Sequence, residues 1–277
     1  MGFYEMVRGR WAAGRFVCVG LDPDPVRLPS VIRGSEACRT ADFCCEIVDA
    51  THDYAAAFKL NSAFFEALGA DGIVAMERVI AYIKDRYLSV LVIVDAKRGD
   101  IANTNEYYAT AVFDTWGADV VTVHPYFGGA SLHPFLRRSE KGAIVMGANS
   151  DPGATEFQDL ALADGSSLFE HVCRTVAEKW NVHANCAVTA GANDPAKLAR
   201  IRTAVGEMPI LLLGIGAQGG DIDACLSGGT AGATFGLIVN SSRDILYASA
   251  GDDFADAAHG AASTLNARLA SASTTRP

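Results

Sequence analysis

The feature that most constrains this chain is a recurrence. Eight short, near-continuous apolar runs each give way to a stretch with helical spacing or good helix formers. The runs lie at 16–21 (Phe-Val-Cys-Val-Gly-Leu), 56–61, 90–96, 119–124, 142–147, 186–190, 209–214 and 233–239. The helical stretches occupy 40–54, 62–86, 103–116, 129–138, 166–180, 194–204, 219–227 and 252–270, with Thr40, Asp71, Asn103 and Asp194 as candidate caps. Strands that are apolar throughout, with no polar alternation, are buried on both faces, as in a parallel sheet covered by helices. Eight such units in 277 residues predict an α/β fold of the (β/α)8 TIM-barrel type, with an open doubly wound sheet as the alternative. No compositional break marks a second domain. Residues 1–270 are therefore expected to form a single barrel, and the small, polar 271–277 a frayed tail.

In such a barrel the active site lies at the C-terminal ends of the strands. The polar residues closing the apolar runs are Asp22, Lys59 with Asn61, Asp95 with Lys97, His124, Asn149 with Ser150, Gln218 and Arg243. A chain using its loops only as connectors would not concentrate ionisable residues at one end of so many strands. The densest group is Asp95-Ala-Lys97-Arg-Gly-Asp100-Ile101. Asp95 and Lys97 are two apart, so while the strand lasts they project to one face. Asp100 lies past the turn at Gly99 and could reach the same site or a neighbouring subunit. Carboxylates around a lysine favour an ammonium and set negative charge beside it, which suits a proton donor next to an anionic substrate. Taken alone, the pattern also fits a solvated turn at a strand end. Lys59 sits inside Ala-Ala-Phe-Lys-Leu, where an unpaired ammonium would be costly, so a charge partner on the catalytic face is expected. Schiff-base chemistry at either lysine would need a neutral amine, which neighbouring carboxylates oppose.

Gly214-Ile-Gly-Ala-Gln218-Gly-Gly-Asp221 follows the seventh run and Asn240-Ser-Ser-Arg243 the eighth. Loops after strands 7 and 8 are the recurrent phosphate site of these barrels, where N–H groups and an arginine suit a phosphate. Separately, the first reads as a tight turn and Arg243 as a surface charge. Asp95 and Asp100 could bind Mg²⁺, but Lys97 competes for the same carboxylates, and the six histidines form no H-x-H or H-x-x-x-H pair. A metal is not needed, and His124 reads as a packing or supporting residue. A net charge of −9 without any basic block argues against nucleic acid as a partner. No apolar run is long enough to span a membrane, and seven cysteines without a C-x-x-C pair read as reduced, so a cytoplasmic protein is expected.

Placed in order, these motifs resemble the orotidine 5′-phosphate decarboxylases, in their longer bacterial subgroup, from about Val17 to Leu246. The resemblance rests on Gly20-Leu-Asp22-Pro, Phe58-Lys59-Leu-Asn61, Asp95-Ala-Lys97-Arg-Gly-Asp100-Ile101 with Thr104, and Val123-His-Pro125-Tyr. Ser150-Asp-Pro152-Gly153, Gly216-Ala-Gln218-Gly-Gly and Asn240-Ser-Ser-Arg243 complete it. It implies removal of carbon dioxide from orotidine 5′-phosphate to give uridine 5′-phosphate, the last step of de novo pyrimidine nucleotide synthesis, without cofactor or metal. It further implies that Lys97 donates a proton to C6 of the pyrimidine and that Asp95 lies against the departing carboxylate. Lys59 and Asp100 would complete an alternating-charge network that also holds the ribose. By the same resemblance Asp22 binds ribose, Ser150 contacts the pyrimidine edge, and Gln218 closes over a phosphate gripped by Arg243 and the backbone at Ser242. A homodimer is implied, with Asp100, Ile101 and Thr104 contributed across the interface.

Two positions depart from the family pattern. Leu213 stands where proline often precedes the glycine of the phosphate loop, and Asn149-Ser150-Asp151-Pro152-Gly153 stands where Thr-Ser-Asn-Pro-Gly is common. The D-x-K-x-x-D signature also occurs in Mg²⁺-dependent sugar-phosphate decarboxylases and hexulose-phosphate synthases. Ile101 and Ala217-Gln218-Gly219-Gly220 favour the nucleotide enzyme. The intact set of Lys59, Asp95, Lys97 and Asp100 argues against a non-catalytic phosphate-binding barrel. The N-terminal helix and the segments 33–38 and 154–166 carry no role legible in the sequence.

Overall fold

A computed structural model describes residues 1–215, 222–230 and 235–274. The apolar runs become β1 (Val17–Leu21), β2 (Ala55–Asn61), β3 (Leu91–Arg98), β4 (Val120–Val123), β5 (Gly142–Val145), β6 (Cys186–Gly191), β7 (Ile210–Leu213) and β8 (Leu237–Ser241). Each strand pairs in parallel with the next, and β8 returns to β1, so the sheet closes into a (β/α)8 barrel and the open alternative is excluded. Closure removes both sheet edges, leaving no row of unpaired backbone groups to protect. The helices are α1 (Phe3–Ala12), α2 (Glu36–Thr51), α3 (Ser62–Glu66), α4 (Gly69–Arg86), α5 (Ala102–Ala109), α6 (Gly128–Leu136), α7 (Leu168–Thr175), α8 (Pro195–Val205), α9 (Ile222–Gly229), α10 (Arg243–Leu246) and α11 (Phe254–Thr274). The last of these continues into the segment expected to fray, and residues 275–277 lie outside the described residues.

Three expectations change in detail. The eighth strand starts at Leu237, after Gly236 with its left-handed φ of 74° and Phe235, which packs on Phe16 and Trp11, and positions 233 and 234 of the expected run lie outside the described residues. Asn240 and Ser241 consequently belong to the strand, not to the loop after it. The stretch 62–86 is two helices, broken where Gly69 turns the chain at φ 67°. The caps differ because a cap is set by where the chain enters its helix. Ser35, not Thr40, caps α2 by accepting the Cys38 N–H, and Thr40 lies buried within that helix. Asp71 falls in the first turn of α4, and Asn103 lies inside α5, which starts at Ala102. Asp194 does cap α8, accepting the Lys197 N–H at 2.8 Å.

The N-terminal helix has a clear structural place. Its Phe3, Val7 and Trp11 are buried, and Phe3 packs beside Gly142 and Val120 at the starts of β5 and β4. Arg10 donates to the carbonyls of His52 and Ala55, just before and at the start of β2, and Tyr4 donates to the Cys186 carbonyl at the start of β6. Burying side chains of this size stabilises by roughly 1.5–3 kcal/mol each. Helix α1 thus covers the N-terminal end of the barrel, while the opposite end carries the polar residues.

Candidate active site

At the C-terminal end of the barrel, adjacent strands present polar side chains to one another in sequence. Lys59 comes from β2, in register with Gly20 of β1 and Ile93 of β3, and is almost fully buried. Its ammonium lies 3.1 Å from Asp95 Oδ2 and 3.4 Å from Asp22 Oδ1. Burial by itself would depress the Lys59 ammonium, yet Asp22 and Asp95 outweigh it and hold the group above the ordinary lysine range. Asp95, within β3, is buried too, and its Oδ1 accepts from Lys97 Nζ at 2.7 Å and from the Thr122 hydroxyl at 2.8 Å. Burial pushes that carboxyl up, but Lys59, Lys97 and the hydrogen bonds from Lys97 and Thr122 overcome it and hold it at about 2. The buried charges are therefore mutually compensated, the condition under which such a group is tolerated.

Lys97 and Asp95 do meet, though strand alternation is not the reason. Val94 pairs with Val121 and Arg98 with Val123, so three residues of β3 stand opposite Thr122 alone. Within this bulge Lys97 has a left-handed backbone, φ 46°, and its N–H donates to Thr122 Oγ1 at 2.9 Å. Bulges re-aim side chains at the rims of barrels, and here the bulge turns Lys97 back over Asp95. Beyond it, the Asp100 carboxylate accepts its neighbour's N–H at Ile101, and among the described residues no ion pair joins it to Lys59 or Lys97. Ile101 is exposed and Thr104 half-buried in the first turn of α5. Asn105 holds this turn by donating to the carbonyls of Asp100 and Ser131.

On its other side the cluster runs into a cleft of about 450 Å³, within the usual size of small-ligand sites. Asp22 Oδ2 accepts the Ser242 hydroxyl at 2.8 Å, and Asn240 donates to the same hydroxyl oxygen. Gly20 makes this approach possible, since a Cβ there would lie 1.9 Å from Ser242 Oγ. Arg243, Ser242, Gly214 and Ile215 line the cleft on the β7 and β8 side, with Arg27, Asp24 and Tyr247 facing them. Gln218 lies outside the described residues. Ser150 stands after β5, where Asn193 donates to its carbonyl. Gln158, from the segment without a legible role, accepts the Asn149 N–H at 3.0 Å and so braces the loop.

Asp22, Lys59, Asp95, Lys97 and Ser242 are thus brought into one continuous run, with Arg243 beside it. Asp100, Ile101 and Thr104 stand apart on the neighbouring connection. The sequence motifs do not include Thr122, Arg27 or Tyr247, and they hold Asn240 only as the first residue of Asn240-Ser-Ser-Arg243. Thr122 had a signal, being the one polar residue in the apolar Val-Val-Thr-Val of β4. Arg27 had only its closeness to Asp22, and its guanidinium lies 3.7 Å from the centre of the Tyr247 ring. His124 is exposed, and partial desolvation of its ring together with the nearby Lys97 charge lowers its imidazole from the usual range. Among the described residues no three His, Cys, Asp or Glu side chains converge as a metal-ligand set.

Residues 15–258 match the family described as orotidine 5′-phosphate decarboxylase / HUMPS. The orotidine 5′-phosphate decarboxylase of Janthinobacterium sp. (strain Marseille) is 44% identical over 260 residues, covering 93% of this chain and 94% of its own. Among solved structures, the OMP decarboxylase of Leishmania donovani is similar with a TM-score of 0.88 at 33% identity, covering 100% of both chains. The UMP synthase of the same organism is similar with a TM-score of 0.86 at 36% identity over 97% of this chain, which spans 57% of that longer protein.

Proposed function

The chain belongs to the orotidine 5′-phosphate decarboxylase / HUMPS family, and from that premise we propose how its own residues act. It is a carboxy-lyase that converts orotidine 5′-phosphate to uridine 5′-phosphate and carbon dioxide. The observation that carries the assignment of roles is the run of ion pairs Asp22–Lys59–Asp95–Lys97, buried at Lys59 and Asp95 and open at Lys97, which meets a cleft lined by Asp22, Ser242 and Arg243.

Breaking the bond between C6 and the carboxylate leaves the electron pair on C6. The Lys97 ammonium stabilises that developing charge and then passes a proton from Nζ to C6. Asp95, held at about 2, stays ionised at neutral pH and faces the departing carboxylate. That opposition of like charges disfavours the bound substrate relative to the transition state. Lys59, with Asp100 contributed by the second copy, completes an alternating-charge network that also holds the ribose, and Asp22 binds the ribose. Arg243 and the Ser242 backbone grip the phosphate, Gln218 closes over it, and Ser150 meets the pyrimidine edge. Binding energy from the phosphate, remote from the reacting carbon, orders the site for chemistry. No metal or cofactor takes part in this scheme.

The same proposal takes residues 1–270 as one domain and pairs two copies, with Asp100, Ile101 and Thr104 reaching the partner's site. Supporting this, Ile101, Tyr107, Tyr126 and Phe127 are large hydrophobics exposed on the adjacent connections after β3 and β4. Seven free cysteines, six of them buried, support a reducing, cytoplasmic setting. The test is the loss of ultraviolet absorbance of orotidine 5′-phosphate with purified protein, with and without EDTA. Equal conversion in both is expected. Turnover abolished by EDTA would overturn the metal-free scheme, and no conversion by a folded dimer would overturn the reading as a whole.

A further inference from the structure

Thr122 closes a ring of contacts through both ends of Lys97. Its hydroxyl oxygen accepts the Lys97 backbone N–H at 2.9 Å, and its single hydroxyl proton goes to Asp95 Oδ1 at 2.8 Å. The same carboxylate oxygen accepts Lys97 Nζ at 2.7 Å. Backbone, hydroxyl, carboxylate and ammonium therefore form one cycle, in which Thr122 is the only group outside β3.

The need for such a group follows from the backbone. At the bulge β3 loses its register with β4, and Asp95, Ala96 and Lys97 are paired with no residue of that strand. Lys97 is also one of two described non-glycine residues with positive φ. A left-handed residue carrying a Cβ costs energy and persists only where its surroundings over-determine it. Thr122 is fully buried, so its hydroxyl has no water to exchange these contacts with.

We propose that Thr122 is a positioning residue for the proton donor: its hydroxyl replaces the missing strand partner of Lys97 and aims Asp95 and Lys97 at each other. This rests on the assignment of Lys97 as the donor to C6. Thr122 itself touches neither the cleft lining nor the reacting atoms.

Two measurements on the full-length protein test it, using Thr122→Val, which removes the hydroxyl and keeps the branch, and Thr122→Ser, which does the reverse. The first is hydrogen exchange of the Lys97 amide without substrate, in wild type and both variants. Exchange should rise about tenfold or more in T122V, as expected for a lost hydrogen bond, and return toward wild type in T122S. The second is steady-state decarboxylation with uridine 5′-phosphate binding as the check on folding. In T122V kcat should fall about 10- to 100-fold while KM and product affinity stay within about threefold, and T122S should recover most of the loss. Unchanged amide exchange in T122V overturns the proposal, as does a kcat within twofold of wild type. Equal impairment of T122S and T122V, or a parallel loss of product affinity, would instead assign Thr122 to packing. If wild type fails to decarboxylate, the functional reading fails, while the exchange measurement still decides whether Thr122 holds Lys97.

Discussion

Replacing Lys59 by methionine removes the central charge of the site while keeping a side chain of similar length. In the wild type, Asp95 is lowered from an ordinary 3.8 to about 2, against a burial effect that raises it. That net depression corresponds to roughly 2–3 kcal/mol of stability at neutral pH. After burial, the charge of Lys59 is the foremost cause and lowers it, beside the charge and hydrogen bond of Lys97, and Asp22 would lose an ammonium at 3.4 Å as well. Removing one member of a buried ion pair costs about 3–5 kcal/mol. Asp95 would retain Lys97 and Thr122, and we therefore expect K59M to lose about 3 kcal/mol at pH 7. The pH dependence carries a sign. A depressed carboxylate contributes stability that is present above its unfolded value and lost as pH falls through its folded value, here between about 4 and 2. In K59M the Asp95 carboxyl returns toward the ordinary range or above it, so acid neutralises the stranded charge. The difference between wild type and K59M should then narrow from pH 7 to pH 3. Urea unfolding at both pH values measures this through the midpoints, provided the slopes agree. A difference under about 1 kcal/mol at pH 7, or one that does not change with pH, would refute the argument that Lys59 compensates the buried Asp95 and half-buried Asp22 carboxylates.

The remaining predictions concern the chemistry and the cleft. Lys97→Ala should lower kcat by about 10³-fold or more, because it removes both a charge beside C6 and the proton donor; near-normal turnover would strip Lys97 of that role. Arg243→Ala should weaken uridine 5′-phosphate binding about 10- to 100-fold by calorimetric titration, as for loss of charge-assisted hydrogen bonds, and unchanged affinity would refute the phosphate assignment. Gly20→Ala should displace Ser242, whose Oγ would lie 1.9 Å from the new Cβ, and break its bond to Asp22. Its signature is a raised KM with a fold stable enough to purify, and wild-type kinetics would show that the Ser242–Asp22 contact is dispensable.

Much of the architecture is local information. The eight apolar runs are legible because parallel strands buried on both faces must be apolar along their whole length, as in Leu211 and Leu212 of β7 or Val92 to Val94 of β3. Boundaries were less legible. The start of β8 depends on Phe235 finding Phe16 and Trp11 at the far end of the chain, and the cap of α2 on where the chain enters at Ser35. The charged residues at the strand ends could be named one by one, since an ammonium or carboxylate at the close of an apolar run stands out against its neighbours.

Local sequence supplies the set of parts: the alternation that makes a barrel, and Asp22, Lys59, Asp95, Lys97 and Arg243 at its C-terminal end. Which part meets which was decided by tertiary structure. Lys59 finds Asp22 and Asp95 at separations of 37 and 36 residues, and Ser242 finds Asp22 across 220. Those distances collapse only when strand register and barrel closure set the neighbours side by side. Thr122 is the sharpest case, an ordinary threonine in an apolar strand until β3 bulges opposite it and leaves the Lys97 N–H without a strand partner. Local patterning records which residues want to be buried or charged. It holds no record of lateral register, because that is settled by the summed packing of eight strands and not by any one of them.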